Sequence, residues 1–133
     1  MRKLLLSLLI VLLPLPAMAG GGRDVMLNWY KLVLELVRHT PTYSPPVASR
    51  AFAYLGVTSY EVLATTRPQM HSLAGQLNDL STLPAPGQGV MDEAVVMHAA
   101  LAQSLRGFFG NTGPSGQQAM DRMDAALSDQ IAV

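Results

Sequence analysis

Apolar residues recur at steps of three and four in several segments of this chain, and prolines and glycines separate those segments. This spacing puts the apolar side chains of a segment on one face of an α-helix. No segment alternates apolar and polar residues as a half-buried strand would. The first apolar face follows Asp24 and comprises Met26, Trp29, Tyr30, Val33, Leu36 and Val37. The pattern predicts an all-α fold, a bundle of about four long helices that forms part of a larger helical domain.

Turn-forming and capping residues set the predicted helix limits, which are 25–39, 46–66, 91–109 and 115–131. Asp24 and Ser44 are expected to cap the first two helices, and Ser115 with Gln118 has the spacing of a capping box. Pro41 closes the first helix. Arg67-Pro68 ends the second, because the residue before proline is pushed away from helical angles.

The remaining segments are predicted to be shorter or irregular. Residues 71–80 favour a short, weaker helix, and residues 81–89 have the composition of an exposed connection. Gly56, within the second helix, is expected to let a neighbouring helix approach closely.

The N-terminal residues have the pattern of an export signal. Arg2 and Lys3 precede an apolar run, and Ala17-Met18-Ala19 has the small-x-small form of a signal peptidase site. We therefore predict a signal peptide over 1–19, a helical domain over 20–133 that is incomplete at its C-terminus, and a periplasmic or secreted protein. An uncleaved N-terminal anchor is the alternative.

The charge balance excludes one class of protein, and the absence of cysteine limits how the domain can be stabilised. Removal of residues 1–19 takes away two positive charges and leaves seven basic against nine acidic residues, without a basic cluster. This balance is not that of a nucleic-acid-binding protein. The chain has no cysteine, so the exported domain must be held by its apolar core or by a partner. After signal cleavage we expect no membrane association.

The residues with reactive side chains show no catalytic or metal-binding spacing. None of His39, His71 and His98 is followed by a second histidine or a carboxylate three or four residues later, so each is predicted to be a helix-end or surface residue. Ser115 lacks the Gly-x-Ser-x-Gly pattern of a nucleophile elbow. Arg38 and Arg50 flank the proline-rich turn. They are interpreted as a helix C-terminal charge and as an ion-pair partner of Glu35 or Glu61, and the alternative is an anion clamp.

Four groups of residues carry a resemblance to a known family: Trp29-Tyr30, then the segment 44–54 (SPPVASRAFAY), then Tyr60-Glu61, and Phe108-Phe109. They resemble the N-terminal region of exported bacterial vanadium-dependent haloperoxidase-like proteins, which belong to the type-2 phosphatidic acid phosphatase superfamily. The resemblance spans residues 26–131 and is concentrated in 28–63.

The resemblance implies an all-helical enzyme that holds vanadate or phosphate. The family site consists of a Lys, six residues and Arg-Pro, then Pro-Ser-Gly-His, and later Ser-Arg and a second His. Arg67-Pro68 and Pro114-Ser115-Gly116 look like two of these blocks, but Tyr60 stands at the Lys position and Gln117 at the first His position. No catalytic, cofactor-binding or metal-binding residue is therefore carried over.

Two main functional hypotheses follow. The first is an exported N-terminal helical portion of a haloperoxidase-like or phosphatase-like protein, inactive alone, whose partner is a missing C-terminal catalytic region and whose full-length relatives bind vanadate or phosphate. The second is a small periplasmic helical module that binds a protein partner through its apolar face and has no enzymatic activity. A hydrolase with an unrecognised site is a third alternative.

Overall fold

The fold is all α, as the sequence predicts. The computed structural model describes residues 21–87 and 89–132, and the predicted signal segment 1–19 lies outside them. No strand occurs within the described ranges. The four helices are α1 (Gly22–His39), α2 (Pro45–Thr66), α3 (Glu93–Phe108) and α4 (Pro114–Ile131). None of them combines the length and the apolar character that crossing a bilayer requires.

The central element is α3, because α1, α2 and α4 all pack on it. In most of its turns two consecutive residues are buried, which widens the buried face of the helix enough to contact several neighbouring helices. They are Ala94, Met97, His98, Leu101, Ala102 and Leu105. α1 adds a narrower stripe at steps of three and four and also contacts α4; its buried apolar side chains are Val25, Trp29, Val33 and Leu36. The core is therefore one continuous apolar cluster built around α3.

Several helix ends lie where local chemistry predicts. Asp92 is the N-cap of α3, and its carboxylate accepts hydrogen bonds from the backbone N–H groups of Ala94 and Val95 at 2.7 and 3.1 Å. α2 ends at Thr66 with Arg67 as its C-cap, because Pro68 disfavours helical angles at Arg67. α1 ends two residues before Pro41.

Two predicted caps are wrong, and a third lies at the predicted position without a side-chain hydrogen bond. α1 begins at Gly22, so Asp24 lies in its first turn and acts on the helix dipole instead of capping it. α4 begins at Pro114 with Gly113 as its N-cap, since proline is favoured at the first helical position; Ser115 is therefore inside the helix. Ser44 occupies the N-cap position of α2, but its side chain makes no capping hydrogen bond.

The short helix predicted over 71–80 is also wrong, because this segment forms turns. Gly75 and Asp79 have φ angles of 76° and 64°, which a right-handed helix cannot contain. The Glu61 carboxylate of α2 accepts hydrogen bonds from the Leu73 N–H at 2.6 Å and from the Ser72 hydroxyl at 2.8 Å. These bonds hold the start of the segment against α2.

Close approach occurs at glycines other than the predicted one. No atom of another element lies within 4 Å of a Cβ built on Gly56, so that prediction is wrong. A Cβ on Gly22 would lie 2.7 Å from Oε1 of Glu93, and one on Gly116 would lie 2.6 Å from Cβ of Thr112. Glycine therefore allows Glu93 to approach the start of α1 at Gly22, and Thr112 to approach the start of α4 at Gly116.

Truncation of a core leucine of α3 tests the central role of that helix. Leu101 is fully buried, and we expect Leu101→Ala to lower the free energy of unfolding by about 2–5 kcal/mol, through lost burial and the cavity that remains. Urea denaturation followed by circular dichroism measures the loss. The matched control is Leu34→Ala on the outer face of α1, where the side chain is 54% exposed and the expected change is within about 0.5 kcal/mol. Equal losses in the two variants would contradict the assigned core.

Candidate functional site

A polar cluster centred on the buried His98 joins three helices. The imidazole is 7% exposed and stacks against the indole of Trp29 in α1. Nε1 of Trp29 donates a hydrogen bond to Nδ1 of His98 at 3.2 Å. The other ring nitrogen, Nε2, lies 3.0 Å from Oγ of Ser128 and 3.0 Å from Oδ1 of Asp124, both in α4. We call Trp29, His98, Asp124 and Ser128 the His98 cluster.

The donors and acceptors of the His98 cluster fix the tautomer of its imidazole. An indole N–H can only donate, so Nδ1 of His98 must be the unprotonated acceptor. Nε2 then carries the ring proton and donates it toward Ser128 and Asp124. An imidazole in this state has no lone pair on Nε2 with which to deprotonate the Ser128 hydroxyl.

The positions of the carboxylate and hydroxyl support the same conclusion. In a Ser-His-Asp triad the serine and the aspartate contact opposite nitrogens of the histidine. Here Asp124 and Ser128 both contact Nε2. Arg106 also holds Asp124, through its Nη2, and donates to Asp121 at 2.8 Å through its Nη1. The arrangement is that of a satisfied structural network between α1, α3 and α4.

The sequence prediction for the histidines is wrong for His98, which is buried in the middle of α3. His39 is exposed at the end of α1, with Nδ1 2.9 Å from the Glu35 carbonyl oxygen. His71 is exposed in the connection after α2. Across the described ranges, no group of three or more His, Cys, Asp or Glu side chains is placed to hold a metal ion.

The two blocks that look like the family site lie at opposite ends of α3. Arg67 is beside the start of that helix, where its Nε and Nη2 donate to Glu93 at 2.7 and 2.9 Å. Ser115 lies beyond its end, in the first turn of α4. A helix of 16 residues is about 24 Å long at 1.5 Å per residue. The two blocks therefore do not combine into one oxyanion site.

Both blocks also have local structural partners. The hydrogen bond from Arg67 holds the pKa of the Glu93 carboxyl below its usual range, despite an opposing effect of burial. Gln117, which follows Pro114-Ser115-Gly116, donates through its side-chain amide to the Phe109 carbonyl at 3.1 Å and to Oγ1 of Thr112 at 3.1 Å. Gln117 thus stabilises the connection between α3 and α4.

The arginines around the proline-rich turn differ from each other. Arg38 forms an exposed ion pair with Glu35 at 3.4 Å, near the end of α1. The predicted pairing of Arg50 with Glu35 or Glu61 is wrong. Glu35 instead pairs with Arg38 and His39. Glu61 accepts hydrogen bonds from the Ser72 hydroxyl and the Leu73 N–H. Arg50 instead lines an open pocket.

This pocket lies between the first half of α2 and the end of α3 and has a volume of about 310 Å³. We call it the Arg50 pocket and define it by Tyr43, Val47, Arg50, Tyr54, Phe108 and Asn111. Sequence reasoning missed it because Phe108 and Asn111 are far from α2 along the chain. The one signal in the sequence is Arg50 itself, for which an ion pair is predicted and an anion clamp with Arg38 is the alternative.

The walls of the Arg50 pocket are held by contacts across the molecule. The Tyr43 hydroxyl lies 2.5 Å from the Phe108 carbonyl oxygen and 3.0 Å from Oδ1 of Asn111, and both accept from it. The Tyr43 ring stacks on the buried Phe109 ring at a centroid distance of 4.8 Å. The centroids of the Tyr54 and Phe108 rings lie 5.6 Å apart. Partial burial raises the pKa of Tyr43.

Comparison of the chain with protein-family models, with curated proteins and with solved structures gave no match.

Replacement of His98 tests the structural role of its cluster. We expect His98→Phe to lower the free energy of unfolding by about 1–3 kcal/mol, because the buried Trp29 N–H loses its acceptor. Urea denaturation measures the loss. In the control His71→Phe the histidine side chain is exposed, and we expect a change within about 0.5 kcal/mol. Nitrogen NMR of the wild-type protein should show the Nε2–H tautomer at His98; a proton on Nδ1 would contradict the assigned hydrogen bonds.

The Arg67–Glu93 pair should contribute a pH-dependent part of the stability. The pKa of Glu93 is lowered in the folded protein, so its contribution is complete above the unfolded pKa, about 4.3, and is lost as pH falls through the folded value. We expect Arg67→Gln to lower the melting temperature at pH 7 and the difference from wild type to vanish in acid.

Thermal melts from pH 7 down to about pH 2 measure this convergence, since the carboxyl is then protonated in both states. The matched control is Arg122→Gln, an exposed position of α4. A difference between Arg67→Gln and wild type that persists unchanged in acid would contradict the ion-pair assignment.

Proposed function

We propose that this chain is an exported helical module that binds a partner protein through the Arg50 pocket. The observation that carries the proposal is the grouping of exposed apolar side chains around an open cavity. Val47, Tyr54 and Phe108 are 47%, 51% and 38% exposed and all line it. Contiguous exposed apolar groups with polar groups among them are typical of protein interaction sites.

The spacing along α2 supports this role. Val47, Arg50 and Tyr54 lie three and four residues apart and so share one face of the helix. The neighbouring positions Ala51 and Leu55 are buried. α2 is therefore fixed to α3 by one stripe and presents an adjacent stripe to solvent.

The chemistry of the other polar sites also favours binding. The imidazole of His98 is hydrogen-bonded through both nitrogens, and the guanidinium of Arg67 is paired with Glu93. These groups maintain the packing of the helices. The Arg50 guanidinium, in contrast, faces an open cavity.

The second candidate function is the helical portion of a haloperoxidase-like or phosphatase-like protein, inactive alone. Residues 28–63, which carry the resemblance, form most of α1 and α2 and contribute buried residues such as Trp29 and Ala51. This placement supports a packing role for the resembling segment. The exposed apolar groups around Arg50 would then contact a catalytic region of the same assembly.

Export to the periplasm or the medium forms part of the proposal and is supported by the sequence pattern of residues 1–19. The full chain with a C-terminal affinity tag, expressed in a bacterial host, should be recovered from the periplasm or medium. Mass spectrometry should give a mature N-terminus at Gly20. An intact N-terminus in the cell-membrane fraction would favour the alternative of an anchor.

Site-specific photo-crosslinking in the native host tests partner binding. In the full-length chain, Tyr54→p-benzoylphenylalanine places the probe in the Arg50 pocket, and we expect a light-dependent adduct with a second protein, identified by mass spectrometry. The matched control is Arg122→p-benzoylphenylalanine on the exposed face of α4, which should give none. Equal adducts at both positions, no adduct at position 54, or an adduct between two copies would contradict the proposal.

Enzymatic assays distinguish the proposal from a complete enzyme. Hydrolysis of p-nitrophenyl phosphate and bromide oxidation with added vanadate should both remain at the level of buffer. Turnover in either assay that co-purifies with the chain would contradict a binding role without catalysis.

A further inference from the structure

The Arg50 pocket combines one cation with an apolar wall. Arg50 is the only charged side chain among the residues that line it. The ion pairs of the described residues use Arg38, Arg67 and Arg106 together with His39 and His98. The exposed guanidinium of Arg50 therefore has no carboxylate partner within that part of the chain.

The other polar groups of the pocket are already engaged. The Tyr43 hydroxyl donates to Phe108 and Asn111, and Nδ2 of Asn111 donates to Oγ1 of Thr42 at 3.1 Å. A ligand must therefore find its main polar partner in Arg50. A guanidinium presents a planar fork of N–H donors that matches the two oxygens of a carboxylate.

The apolar wall of the Arg50 pocket indicates which group of the ligand lies beside the carboxylate. Val47, Tyr54 and Phe108 offer apolar and aromatic surface beside the guanidinium, and an aromatic ring gains from packing against such rings. Tyr43 is fixed by hydrogen bonds and by stacking on Phe109, so this side of the pocket is preorganised, which reduces the entropic cost of binding.

We propose that the Arg50 pocket binds an acidic side chain that lies next to an aromatic residue of the partner protein. Arg50 holds the carboxylate, and the Val47, Tyr54 and Phe108 side chains contact the aromatic ring. This inference rests on the proposed function, since it names the chemistry of the partner at the same pocket.

Titration with two capped dipeptides tests the inference. The probes are acetyl-Phe-Glu-amide and acetyl-Phe-Gln-amide, which differ only in the carboxylate. The protein is the full chain as processed and released by the expression host, labelled with ¹⁵N for amide shift measurements. We expect the Glu peptide to bind with a Kd on the order of 1 mM or tighter and to shift amides of residues 43–54 and 107–111. The Gln peptide should bind at least about tenfold more weakly, because it lacks the charge-assisted hydrogen bond.

Variants of the arginine sharpen the test. Arg50→Gln should bind both peptides equally weakly, and Arg50→Lys should recover only part of the preference, because an ammonium lacks the planar fork. Arg122→Gln, the matched control on α4, should keep the wild-type preference. Unchanged amide spectra outside the pocket show that each variant is folded.

Three results would overturn the inference: equal binding of the two peptides, a preference that survives in Arg50→Gln, or shifts that map away from the pocket. The crosslinking experiment at position 54 tests partner binding independently of the acidic ligand. A specific adduct at position 54 without a carboxylate preference would leave partner binding in place and refute only its acidic chemistry.

Discussion

The described structure depends on the burial of α3 by the other three helices. Without cysteines, no covalent bridge closes the fold, so the apolar contacts on α3 must offset the entropy of ordering the chain. Leu101 and Met97 are fully buried or nearly so because α1, α2 and α4 cover different sides of the helix. The outer helices contact α3 more extensively than they contact one another. Both candidate sites lie where other helices or their connections pack against α3.

Local patterns predicted the helices and most of their ends, whereas non-local contacts determined the sites. The three-four spacing and Pro68 act within a few residues, so α2 and its end at Thr66 could be predicted. The turns of residues 71–80 could not, because the carboxylate of Glu61 competes for the backbone there. The family resemblance remains a prediction, since no comparison tests it.

The same distinction explains the error at His98. Its acceptor nitrogen is satisfied by Trp29, 69 residues earlier in the chain, and spacing rules that search for ligands three or four residues away cannot detect such a partner. Among the described residues, no buried side-chain polar atom is left without a hydrogen bond. A satisfied buried network of this kind favours one alignment of packed helices over alternatives with similar apolar contacts. The Arg50 pocket was missed for a related reason: its aromatic wall is assembled from α2 and the residues after α3.

The separation between Trp29 and His98 also has a consequence for the order of assembly. α3 and α4 are joined by only five residues, 109–113, so their contacts close a short loop. The bond between Trp29 and His98 closes a much longer one, with a larger loss of chain entropy. Early formation of the α3–α4 hairpin would present His98 and Asp124 together before α1 arrives. Docking of α1 then closes the longer loop and brings Trp29 to His98.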